Sequence, residues 1–175
     1  RSLQAAALRC GAAWRVELDP NSGPFLEFLR GLELDLLVSY SAPCVFKPDL
    51  LAVPRLGCIN LHCSLLPRYA GLLPSFWVLF HGESEAGATV HYMDDKIDNG
   101  SILGQVRLPV PAGTSMLELI RQTKSAGGRL MCDVVRQMHQ GRLQPRPNPV
   151  AQGSYFSWPT VEQMREFRRR GGRLV

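Results

Sequence analysis

The chain has 175 residues, 45% of them apolar and 20% charged, enough for one domain with a core and too mixed for a disordered or coiled-coil sequence. No apolar run is long enough to span a bilayer, and the first residues lack the apolar core and cleavage site of a secretion signal. The net charge of +5 gathers at Arg165, Arg168, Arg169, Arg170 and Arg173; this reads as a solvated helix face, since no interleaved aromatics support a nucleic-acid patch.

Trp14 to Leu18 predicts a short strand, broken at Asp19-Pro20. Ser22 then caps a helix over Phe25, Leu26 and Leu29 that ends at Gly31. The nearly continuous apolar run Leu34 to Tyr40 suits a strand buried on both faces of a parallel sheet. A loop with Pro43 and a short helical piece at Asp49-Leu50-Leu51 lead to a strand at Gly57 to His62. Pro74 opens a helix through Phe76, Trp77 and Phe80. Strands follow at Ala88 to Met93 and Ser101 to Val110, then a long helix from Thr114 or Ser115, with Gly127-Gly128 as its candidate break. Residues 144–149 read as an extended segment, and a last helix begins at Thr160 with a capping box to Gln163. Alternating strands and helices predict an α/β fold with a mostly parallel sheet, whose ligands bind outside the carboxyl ends of the strands. The expected division is a domain over 1–143 and a tail with a short helix over 144–175.

Asn60 and His62 differ by two and share a strand face. An amide there can stabilise an oxyanion, and an imidazole can donate a hydrogen bond or move a proton. Ser64 continues the alternation and is expected to brace His62, while Leu65-Leu66-Pro67 would wall the site. The bland alternative is a strand-end asparagine and a satisfied core histidine. In the acidic turn Met93 to Gly100, the spacing lacks the ligand pattern of a calcium loop, so no metal is expected. If that turn folds toward His62, Asp98 orients the imidazole and raises its pKa. His91 is expected to be structural, and His81 and His139 to sit at helix ends. Cysteines are five in number and form no CxxC pair, which predicts neither disulfides nor zinc and a reducing cytoplasm. Cys63 alternates with His62 and so points away from it.

Gly57-Cys58-Ile59-Asn60-Leu61-His62-Cys63-Ser64-Leu65-Leu66-Pro67-Arg68-Tyr69 resembles the signature of the 10-formyltetrahydrofolate-dependent formyltransferases. Gly87 to Met93, leading into Ile97-Asp98-Asn99-Gly100, resembles that family's second motif, and Asp98 follows Asn60 at the family's separation (98 − 60 = 38). The resemblance is strong over roughly residues 33–110. It implies a Rossmann-like sheet flanked by helices, from which the first N-terminal strands are lacking here, and catalytic roles for Asn60, His62 and Asp98. It also implies 10-formyltetrahydrofolate as cofactor, bound by Pro43, Val45, Phe46, Ser64, Met93 and Asp94. In the implied mechanism a small-molecule amine attacks the formyl carbon. Asn60 and protonated His62 stabilise the oxyanion, and Asp98 keeps His62 charged and helps remove the amine proton.

Gly71 to Trp77 resembles the tRNA and sugar branches more than the purine branch, and the tail Ser154 to Thr160 resembles the sugar N-formyltransferases, which implies an amino sugar nucleotide as acceptor. Methionyl-tRNA and glycinamide ribonucleotide are the alternatives, so tRNA stays open as a partner. A non-catalytic folate-binding domain is the alternative of another class. The family's missing N-terminal strands, together with a start that lacks Met, predict a truncated chain with an exposed sheet edge that invites homodimer formation.

Overall fold

The computed structural model describes residues 2–175. In its first half, chain order runs α1 (Leu3–Arg9), α2 (Gly23–Arg30), β1 (Leu37–Tyr40), α3 (Pro48–Leu51), β2 (Cys58–His62), β3 (Ala70–Gly71) and α4 (Pro74–Phe80). β4 (Glu85–Tyr92), β5 (Ile102–Pro109), α5 (Met116–His139), β6 (Tyr155–Phe156) and α6 (Val161–Arg169) follow. β1, β2, β4 and β5 form one sheet in that order, and β3 and β6 form a small second one.

The main sheet is mixed rather than mostly parallel. β1 and β2 run parallel, but β2–β4 and β4–β5 are antiparallel. β4 reads as a parallel strand because it is buried along almost its whole length, and that burial comes from cover on both faces rather than from strand direction. One face packs Ile59, Leu61, Ala88 and Val90 against Met131 and Val134 of α5. On the other, Leu26, Leu29, Phe46 and Leu50 gather with Leu37 and Met93. Each large side chain taken fully out of water, such as Ile59, contributes about 1.5–3 kcal/mol.

Gly127 does not break α5, which runs unbroken for 24 residues from a Ser115 cap. A Cβ at Gly127 would stand 2.7 Å from Leu61 Cδ1 and 3.0 Å from Ala88 Cβ, so the glycine lets the helix lie directly on the sheet. Trp14 to Leu18 is not a strand: its backbone pairs with none, and Leu18 is 94% exposed. The strand expected from Leu34 shrinks to β1, an edge strand whose Val38 and Tyr40 are exposed.

Residues 144–175 pack into the same body instead of trailing from it. β6 pairs in parallel with β3, and Phe167 of α6 is buried against Phe76 and Trp77. Trp77 Nε1 donates to Ser157 O at 3.0 Å, and the backbone N–H groups of Met116 and Leu117 donate to Arg173 O and Leu174 O. Within the arginine cluster, Arg169 and Arg170 pair with Glu166, and Arg170 also lies over the Phe80 ring.

Candidate active site

The carboxyl end of β2 presents Asn60 and His62 to one face of the sheet, while Ile59 and Leu61 fill the α5 core on the other. Beyond His62 the chain reverses in a tight turn. Ser64 Oγ donates to Arg68 O at 2.7 Å, and Thr89 Oγ1 donates to Ser64 O at 2.7 Å. That reversal carries the Tyr69 carbonyl, on a backbone with φ +60°, to within 2.7 Å of His62 Nε2. Ser64 therefore builds the turn: it is wholly buried and lies outside the cleft, against the expectation that it contacts a cofactor or His62. Leu65, Leu66 and Pro67 are likewise absent from the cleft, whose apolar wall comes instead from Leu72, Leu73 and Pro74.

The acidic turn does fold toward His62. The Asp94 carboxylate accepts the Lys96 backbone N–H at 3.0 Å and the Asn99 amide at 2.8 Å, closing the loop on itself. From the tail, Asn148 Nδ2 donates to Asp98 O and Asn99 O. Asp98 then adopts φ +52°, a left-handed conformation that costs about 1–2 kcal/mol. The strain delivers its carboxylate: Oδ2 accepts Gly71 N–H at 2.9 Å and stands 3.3 Å from His62 Nδ1, with both side chains 8% exposed.

His91 is more than a core histidine. It faces Asn60 across the antiparallel β2–β4 ladder. Its Nδ1–H donates to Tyr92 O at 2.7 Å, which leaves Nε2 to accept from Asn60 Nδ2 at 3.2 Å; the same atom lies 3.4 Å from Asp98 Oδ1. His91 thus joins the amide and the carboxylate from behind. An antiparallel partner for β2 is the signal that places it, and periodicity alone does not reveal strand direction.

Burial dominates the electrostatics. Desolvation pulls the His62 imidazole below its ordinary value, against the upward pull of the Asp98 carboxylate and the Tyr69 carbonyl. For Asp98, desolvation pushes upward, but the neighbouring His91 and His62 rings and the Gly71 N–H together hold it below the usual carboxylate range. Burial also pushes the Cys63 thiol up, and its polar neighbours are Thr123 and Lys124 rather than His62.

These groups open into a cleft of about 470 Å³, within the range of small-molecule sites. Pro43, Val45, Phe46, Met93 and Asp94 line it, together with Asn60, His62 and Asp98. Asp94 spends its carboxylate inside the loop, so what it offers a ligand is backbone. An apolar slot edged by loop backbone suits a flat heteroaromatic ring such as a pterin. Tyr155 and Trp158, unremarked as site residues by sequence, also line the cleft, although they are 59% and 66% exposed.

Residues 25–135 match the family described as Formyl transferase. The chain is 36% identical over 141 residues to a methionyl-tRNA formyltransferase from Synechococcus sp. (strain JA-3-3Ab), which covers 81% of this chain and 43% of that protein. It thus spans less than half the length of the curated relatives it matches. Glycinamide ribonucleotide transformylase 1 from Symbiobacterium toebii superposes with a TM-score of 0.74 at 25% identity, over 83% of this chain and 77% of that one. The formyltransferase PseJ from Anoxybacillus kamchatkensis, solved with a UDP-linked formamido sugar and tetrahydrofolate, shares the fold with a TM-score of 0.71 at 21% identity, over 95% and 84%. The match over most of the chain and the shared fold have one consequence: this chain belongs to the formyl transferase family.

Proposed function

We propose that this chain transfers a formyl group from 10-formyltetrahydrofolate to a primary amine, with Asn60, His62 and Asp98 as the reacting constellation. The observation that carries the reading is the meeting of these three side chains at one point of an apolar cleft. The bound folate supplies an activated formyl carbon. Asn60 keeps one amide N–H free after donating to His91, and this hydrogen is placed to meet the oxyanion.

His62 has a divided role. Its Nε2–H is committed to the Tyr69 carbonyl. When His62 is protonated, its 3.3 Å separation from Asp98, longer than the roughly 2.7–2.9 Å of a charge-assisted bond, leaves the Nδ1–H to be shared between Asp98 and an oxygen in the cleft. Asp98, ionised at neutral pH, takes the proton that the attacking amine gives up. Pro43, Val45, Phe46 and Met93 hold the pterin, and the backbone at Asp94 reads its edge.

Two acceptors are supported by separate observations. Curated relatives at 30–37% identity are methionyl-tRNA formyltransferases, which favours methionyl-tRNA. The cleft wall from Tyr155 and Trp158, in the segment resembling the sugar branch, favours an amino sugar nucleotide. Radiolabelled formyl transfer to methionyl-tRNA, to nucleotide-linked amino sugars and to glycinamide ribonucleotide tests both. Transfer to one of them, lost in Asn60→Ala and Asp98→Ala, is the expected result. Folate binding with no transfer to any amine would instead support a non-catalytic folate-binding domain.

A further inference from the structure

Residues 146–150 reach the acidic loop from a distant part of the chain. Arg146 forms an isolated antiparallel bridge with Ile102 at the start of β5: its N–H donates to Ile102 O at 2.9 Å, and its carbonyl accepts the Ile102 N–H at 2.8 Å. Asn148 follows two residues on, between Pro147 and Pro149. Each proline fixes its own φ, and Pro149 also biases Asn148 away from the helical region. Pro149, at φ −77° and ψ 64°, is the centre of an inverse γ-turn closed by the Val150 N–H donating to Asn148 O at 2.8 Å. The backbone that carries the Asn148 side chain is thus stiff before the side chain engages anything.

What it engages is a single peptide unit. Nδ2 carries two hydrogens, and Asp98 O at 3.0 Å and Asn99 O at 3.2 Å receive them. Successive carbonyls of an extended chain point to opposite sides, so one amide meets both only where the chain turns. Asp98 makes that turn at φ +52°. The clamp therefore fits the left-handed conformation that carries the Asp98 carboxylate to His62 and Gly71. Asn148 Oδ1, in contrast, is buried and has no hydrogen-bond partner among the described residues. An unmet buried acceptor costs stability, so the fold of the 146–150 segment does not account for this asparagine, whereas its hold on the loop does.

We propose that Asn148 is a positioning residue for formyl transfer: its amide clamps the Asp98–Asn99 peptide and keeps the Asp98 carboxylate against His62. This rests on reading the cleft as a formyl-transfer site. Asn148 is not among the residues that line the cleft, so it acts through Asp98 and leaves donor binding alone.

Asn148→Ala and Asn148→Leu test it, the second keeping roughly the size of the side chain while removing both N–H donors. In each, kcat is expected to fall by about 10–100-fold, with the donor KM within about twofold of wild type. Asn148→Gln keeps an amide and recovers part of the rate. Gln152→Ala, in the same tail and exposed, leaves the rate unchanged. A second readout does not need turnover. Asp98 and the Tyr69 carbonyl pull the His62 pKa up, while burial and His91 pull it down. Release of Asp98 leaves the downward pulls dominant, so NMR titration of His62 will give a lower midpoint in Asn148→Ala than in wild type. Should Asn148→Ala fail to fold, the same two readouts in Asn148→Leu decide. A kcat and a His62 midpoint both equal to wild type, or a slower kcat with an unmoved midpoint, overturns the proposal. A lowered midpoint in a protein that formylates no amine keeps the clamp and removes the transferase reading instead.

Discussion

His62 Nδ1 lies 3.3 Å from Asp98 Oδ2, and the other ring nitrogen lies 2.7 Å from the Tyr69 carbonyl oxygen. Two acceptors flank one ring, so only the doubly protonated imidazole satisfies both. Burial opposes that state and pulls the ring below its ordinary 6.5. When the ring is neutral, a lone pair faces a carboxylate. A proton taken up at Nδ1 is therefore weakly held and readily redirected.

The same relationship sets the acid limit of folding. A group whose folded pKa is depressed contributes stability above its unfolded value and loses it as pH falls through the folded one. His62, ordinarily 6.5, and Asp98, ordinarily 3.8, are both depressed and act in the same sense. Denaturant melts from about pH 8 downward will show stability declining below 6.5 and again below 3.8. The upper flank will vanish in His62→Gln. A wild-type profile that stays level from about pH 8 to about pH 4.5 would contradict this account.

Asp98→Asn separates charge from shape. The amide oxygen still accepts the Gly71 N–H, so the loop keeps its anchor. What disappears is the negative charge beside His62 and the base for the amine proton. Single-turnover formyl transfer will slow by about 10²–10⁴-fold, with the thermal midpoint near that of wild type. Slowing of less than about tenfold would remove Asp98 from the proton-transfer step.

His91→Leu probes positioning from behind. It removes the acceptor for Asn60 Nδ2 and leaves the Tyr92 carbonyl without its donor, in a place only 2% exposed. The unmet groups cost about 1–3 kcal/mol of stability. Because Asn60 then swings free, kcat falls by about tenfold or more while the donor KM holds, a split that stability loss alone does not produce. His91→Gln, which can still accept from Asn60, recovers part of the rate.

Much of this site was legible as a pattern. Two-residue alternation put Asn60 and His62 on one face, and the β2 register bears this out. Asp98 was legible only through the family spacing. What brings it to His62 is a set of contacts distant in sequence: the Asp94 turn, the grip of Asn148 and the Gly71 N–H. The direction of β4 escaped because antiparallel and parallel strands share one side-chain period. Ser64 was misplaced for a related reason. Alternation carried past His62 assumes an extended chain, and the chain turns at that point.

Gly71 shows how far the tail governs the site. Its φ is +92°, and a Cβ there would stand 2.2 Å from Phe156 O and 2.9 Å from the Tyr155 ring. Its N–H also holds Asp98. Gly71→Ala must therefore push β6 off β3, move Tyr155 at the cleft and loosen the catalytic loop together. Gly113 has a similar φ of +81° with nothing within 4 Å of its Cβ position, so Gly113→Ala carries the backbone cost alone. Overpacking adds about 1–3 kcal/mol to that cost, and each 1 kcal/mol lowers the midpoint of a domain this size by about 2–4 °C. Calorimetry will find Gly71→Ala less stable than Gly113→Ala, and formyl transfer will fall only in the former. Equal losses in the two variants would mean that β6 and the loop it abuts do not hold Asp98 in place.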